Sequence, residues 1–150
     1  MGVGNICNRR IPIAEGGASV LAAAKSMQAF DVPILVVVEE KDGRRVAVGI
    51  VTDRELARNV VARGADPLQL TVKDVMRGDP CFVREADDVY ETACWMHRNR
   101  LKEAIVHDEA GGLAGLVTLE QLIDSLAGEI TGVAELPASE ADPRNRVPLH

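Results

Sequence analysis

The sequence predicts an α+β fold of the α/β sandwich type, made of two pseudo-symmetric units that each run strand, helix, strand, strand, helix (β-α-β-β-α). Three observations predict it. The second half of the chain repeats the first. Each half carries apolar residues at helical spacing, and each then has two strand-like stretches joined by a glycine turn and closed by a threonine.

The repeat has two registers. With a shift of 69 residues, Val20, Ala24, Met27, Val37 and Glu40 fall on Val89, Ala93, Met96, Val106 and Glu109. With a shift of 66, Gly49, Val51, Thr52 and Leu56 fall on Gly115, Val117, Thr118 and Leu122. An insertion of three residues therefore separates the copies. It must lie between Glu40 and Gly49, where Asp42-Gly43 faces Gly111-Gly112, pairs that reach the positive φ of a hairpin turn.

In chain order, Asn5-Ile6-Cys7 is a lead-in to a short strand at Pro12-Ile13-Ala14. Val20, Ala24 and Met27 keep i, i+4, i+7 spacing, so an amphipathic helix follows with Met27 as core filler. Ile34 to Val38 is a β-branched run suited to a strand buried on both faces, and Val46 to Val51 is its antiparallel neighbour. Thr52 then caps a helix expected over Asp53 to Ala62, ended by Gly64, with Pro67 in the connector. The second unit has Thr71 to Met76 as a capped turn, a strand around Cys81-Phe82-Val83, a helix through Val89, Ala93 and Met96, and strands at Glu103 to His107 and Leu113 to Val117. Thr118 caps its last helix, expected over Leu119 to Ala127. The units are assigned to residues 4–66 and 67–130. Residues 131–150, with Pro137, Pro143 and Pro148 and no apolar period, are expected to be a disordered tail or a docked arm.

Composition narrows the function. With 47% hydrophobic and 27% charged residues, and no apolar run long enough for a bilayer, the chain reads as soluble and globular. Met1 to Cys7 lacks a basic stretch followed by an apolar one, and position 6 is Ile rather than Ser or Thr. No export or lipid anchor is expected, and a cytoplasmic location is. Cys7, Cys81 and Cys94 are odd in number and widely spaced, which fits reduced thiols rather than a disulfide framework or a zinc ribbon. A net charge of −6 repels nucleic-acid phosphate, and 3% aromatics leave little for base stacking. No nucleophile, base or metal constellation emerges: His97 lies on a helix, His107 on a strand and His150 at the end of the chain. Catalysis is not expected.

Gly49-Ile50-Val51-Thr52-Asp53-Arg54-Glu55-Leu56, its second copy Gly115 to Leu122, and the lead-in Val72-Lys73-Asp74-Val75-Met76 resemble the cystathionine-β-synthase (CBS) domain family over roughly Gly4 to Ile130. The resemblance implies a tandem pair packed sheet to sheet about a pseudo-twofold axis, a Bateman module with two clefts, of the stand-alone bacterial type. It also implies pairing of modules into a homodimer. Leu56, Val60, Val61, Leu122 and Leu126 supply apolar positions for that contact or for the intrachain core.

In this family the clefts often hold AMP, ADP or ATP, and less often S-adenosylmethionine or dinucleotides. A threonine hydroxyl and helix-start amides suit a phosphate, a carboxylate one turn on suits ribose hydroxyls, and a buried strand offers backbone groups to adenine. By resemblance the first cleft is assigned Pro12, Ile13, Leu35, Val36, Val37, Thr52, Arg54 and Glu55. The second is assigned Cys81, Phe82, Ala104, Ile105, Val106, Thr118 and Gln121. Glu55 stands where nucleotide-binding members usually carry Asp, Gln121 replaces it in the second copy, and Glu120 replaces Arg54, so the clefts are expected to be inequivalent. The expected function is a non-catalytic sensor of an adenosine compound acting on a protein partner in trans. The alternative is a ligand-free scaffold whose threonines are only helix caps.

Overall fold

Two sheets carry the two copies of the repeat. The structure, a computed structural model, describes residues 1–131. After a single turn at Val3–Asn5, the first copy runs β1 (Ile13–Glu15), α1 (Val20–Phe30), β2 (Ile34–Lys41), β3 (Arg44–Thr52) and α2 (Asp53–Leu56). A one-turn helix, α3 (Val72–Val75), and the short strand β4 (Arg77–Gly78) lead into the second copy. That copy runs β5 (Phe82–Arg84), α4 (Val89–Arg98), β6 (Glu103–His107), β7 (Leu113–Thr118) and α5 (Leu119–Thr131). The expectation for residues 131–150 lies outside the described residues, apart from the helical position of Thr131.

The first sheet has the order β1-β2-β3-β4 and the second β5-β6-β7. In each, the short first strand is parallel to the next, and the following pair is an antiparallel hairpin. Both hairpins shift register at equivalent places, Val37/Val38 and Val106/His107. Asp42 and Gly43 take positive φ at the first turn. At the second, Gly111 does so while the Asp108 carboxylate accepts the N–H groups of Ala110 and Gly112.

Strand alternation divides the core into three. Leu35, Val37 and Val51 face the helices with Val20 and Met27. Ala104, Val106 and Val117 do the same with Val89, Met96 and Leu122. Between the sheets lie Ile34, Val36, Val38 and Ile50 from one side and Ile105 and Leu116 from the other. All five residues Ile34 to Val38 are buried, because one face of β2 meets helices and the other meets the second sheet.

Each copy is completed by a lead-in from the other half of the chain. Val3 is fully buried in the second copy's helix-side core, and Val72 and Val75 are buried in the first's. Burying each valine contributes about 1.5 kcal/mol or more. The same exchange lays β4 along β3, with Ile50 opposite Arg77, and bridges Asn8 to Leu116. Glycine makes the approach possible. A Cβ on Gly49 would sit 2.8 Å from the Arg77 carbonyl oxygen, and one on Gly115 would sit 2.7 Å from that of Asn8.

Two helices differ from expectation. The stretch from Asp53 is α-helical only to Leu56 and continues as a wider π turn over Ala57–Val61, in which the Ala62 N–H bonds to the Ala57 carbonyl. This keeps Val60 in the core while the Asn59 amide donates to the Val75 carbonyl at the end of α3. Helix α5 runs past Ala127 to Thr131. Gly128, a poor helix former, is buried within it.

Candidate functional site

Strand β3 ends at Thr52, whose extended backbone begins α2. The first turn needs acceptors for its free N–H groups, and the sequence supplies them locally as a capping box. Glu55 Oε2 accepts the Thr52 N–H at 2.7 Å and also the Thr52 hydroxyl. The second copy repeats the geometry without charge. Gln121 Oε1 accepts the Thr118 N–H at 2.9 Å, and the Gln121 N–H donates to Thr118 Oγ1 at 3.1 Å.

Glu55 is buried, its side chain only 7% exposed, so its charge needs a partner. Arg77 provides one: its Nε lies 2.9 Å from Glu55 Oε1. The Arg77 Nη2 also donates to Glu103 Oε1, joining β4 of the first sheet to β6 of the second. Both Glu55 oxygens are thus engaged. The residue matching Arg77 in the other lead-in, opposite Leu116 as Arg77 is opposite Ile50, is the neutral Asn8.

Around this tie opens a cleft between the two copies. One compartment, about 550 Å³ with its open mouth, has Ile50, Arg54 and Arg77 on one wall and Pro80, Cys81 and Arg100 to Glu103 on the other. An adjoining compartment of about 540 Å³ is lined by Pro33, Ile34, Thr52 and Asp53 together with Thr118, and shares Arg54, Arg77, Lys102 and Glu103 with the first. Arg54, Arg77, Arg100 and Lys102 meet in this opening in a chain whose net charge is −6, interleaved with Asp53, Asp79 and Glu103.

The structure groups the expected residues differently from the sequence-based assignment. Thr52 and Arg54 line the cleft, but with partners from the second copy rather than with Pro12, Ile13 and Leu35 to Val37. Pro12 is buried and its carbonyl accepts the Val36 N–H, Ile13 and Val36 pack between the sheets, and Leu35 and Val37 lie under the helices. Cys81 and Thr118, assigned to a second cleft, face the compartments that Arg54 and Thr52 line. Ala104 and Val106 are helix-side core, Ile105 is between the sheets, and Gln121 is committed to the Thr118 cap. Phe82 is exposed, edge-on to His107 with ring centres 6.1 Å apart, beside a separate shallow groove. The physical reason is the face-to-face packing of the two sheets, which brings Thr52 and Thr118, at the ends of the two closing strands, to one opening. Sequence reasoning missed Arg77, Arg100, Lys102 and Glu103. The available signal was the run of basic residues flanking the α4–β6 turn, where Arg100 takes positive φ, and the offset between Arg77 and Asn8 in the two lead-ins.

Cys7 packs against the second copy's core, and burial pushes its thiol pKa up, which suits an inert thiol. Among the described residues, no three or more of His, Cys, Asp and Glu gather as a metal site, and no helix is long and apolar enough to cross a membrane.

With this fold and cleft in view, the class is defined: the chain belongs to the CBS domain family, whose profile matches residues 3–62 and again 72–128. CBS-domain pairs are regulatory modules. The chain is 26% identical over 121 residues to an uncharacterized protein of Methanopyrus kandleri, covering 81% of this chain but only 60% of that protein. Among solved structures, it is similar to the CBS domain of a bacterial CNNM/CorC family Mg2+ transporter in complex with ATP (27% identity, TM-score 0.71, 85% of this chain and 88% of that one). It is also similar to a conserved CBS domain protein of unknown function from Thermoplasma acidophilum (26% identity, TM-score 0.67, 87% of this chain and 77% of that one).

Proposed function

We propose that the cleft between the two copies binds an adenine nucleotide, and that its occupancy is read by a partner beyond these residues. The observation that carries this reading is the convergence of Arg54, Arg77, Arg100 and Lys102 beside the Thr52 helix start. The guanidinium and ammonium groups suit a phosphate chain, while Ile50, Pro80 and Leu101 give apolar surface to a base. The similar transporter CBS domain, solved with ATP, supports the choice of nucleotide. Pairing into a homodimer is part of the proposal: Val61 on the π turn and Ile123 and Ile130 on α5 are exposed apolar residues, Ile130 at 85%.

A second reading, a scaffold with no ligand, is favoured by one observation: Glu55 already has Thr52 and Arg77 as partners. A thermal-shift titration with AMP, ADP and ATP separates the two. Ligand at a hundredfold its dissociation constant adds about 2.7 kcal/mol to the native state. Lys102→Ala and Arg54→Ala, at exposed positions, should abolish that rise without altering the unliganded melt. A flat response in the wild-type protein at millimolar nucleotide favours the scaffold.

A further inference from the structure

We infer that Arg77 decides which ligands the cleft admits, acting as an internal cation that only a chain of two or more phosphates draws away from Glu55 and Glu103. The inference rests on the nucleotide reading above and names the feature of the nucleotide that the site selects. Arg77 belongs to neither copy of the threonine motif. It reaches the cleft through β4, which pairs with β3 beside the glycine contact. Its guanidinium spends Nε on Glu55 and Nη2 on Glu103, while its side chain stays 45% exposed toward the cleft. The two carboxylates are far more enclosed, at 7% and 15%.

This arrangement makes binding an exchange. Arg77 leaves its two enclosed carboxylates only for a partner that replaces both of them. An uncharged nucleoside offers no such partner, and a monophosphate offers a single anionic group. A di- or triphosphate offers successive anionic groups to Arg77 and to Arg54, Arg100 and Lys102 at once. The exchange also undoes the ion pair between β4 and β6, so occupancy alters a contact that ties the two sheets together.

The test is calorimetric titration of the full chain with ATP, ADP, AMP and adenosine, for wild type, Arg77→Ala and Glu103→Gln, each checked by its melting curve. Wild type should bind ATP roughly tenfold or more tighter than AMP, as expected for additional charge-assisted contacts. In Arg77→Ala the preference should collapse to within about threefold, with ATP weakened and adenosine strengthened. In Glu103→Gln, which keeps the shape but frees one arm of Arg77, ATP should gain roughly threefold with adenosine unchanged. Glu103→Gln carries the test if Arg77→Ala does not fold. Variants that weaken all four ligands in parallel, or keep the wild-type ratio, overturn the role of Arg77 while leaving nucleotide binding standing. Failure of every adenosine compound to bind wild type overturns the nucleotide reading, and this inference with it.

Discussion

The Thr52–Glu55 cap and the Thr118–Gln121 cap solve one problem in two ways. Each closes the first turn of a helix after a closing strand, with the side chain three residues on turned back to the threonine N–H. The hydrogen bonds are nearly the same, yet only Glu55 brings a buried charge, and only its copy has an arginine lead-in residue to meet it. Where the cap is neutral, the matching residue is Asn8. The comparison teaches that the acid in the first motif is not a free ligand group. It is one half of a pair whose other half arrives from the opposite end of the repeat.

Five variants break or sharpen that comparison. Glu55→Ala should have the largest effect, because it removes the cap and strips Arg77 of its enclosed partner. A loss of about 2–3 kcal/mol is expected in urea unfolding, and an unchanged midpoint would mean the pair is idle. Gly49→Ala should cost about 2 kcal/mol by overpacking β3 against the Arg77 carbonyl and Met76 sulfur; Gly115→Ala tests the same approach at Asn8. Gln121→Ala should lose only about 1 kcal/mol, the worth of a cap without a charge pair, so the difference from Glu55→Ala isolates the charge. The smallest effect belongs to Glu55→Gln, which copies the second cap into the first and should cost under about 1 kcal/mol while making the protein's unfolding midpoint less sensitive to salt.

A third cap gives the sign of the acid response. The N–H and hydroxyl of Thr71 hold the Asp74 carboxyl below its usual range, so its contribution is in full force above the unfolded value near about 4 and is lost as pH falls through the lower folded value. Asp74→Asn should therefore flatten the stability profile in that acid window and nowhere else, as followed by circular dichroism melts.

Much of the fold was legible because repetition and period are local properties. The shifts of 69 and 66 residues placed both helix, hairpin and cap sets, and the three-residue difference falls on the hairpin turns. The π turn after Leu56 was not legible, since it follows from Val60 and Asn59 meeting a core and an α3 carbonyl that belong to another part of the chain. Nor was the membership of the cleft. Leu35 and Val37 look as suitable as Ile34 in sequence, and alternation along β2 alone does not say which face meets helices and which meets a sheet.

The sequence by itself determined the two copies, their elements, the paired caps and the charge difference between Glu55 and Gln121. Spacing and side-chain chemistry act within a few residues of one another. Only the tertiary structure decided that each lead-in crosses to the other copy, that Thr52 and Thr118 face one opening, and that Arg77 ties Glu55 to Glu103. Those contacts depend on how two twisted sheets pack face to face, and the packing brings together groups whose separation along the chain carries no period.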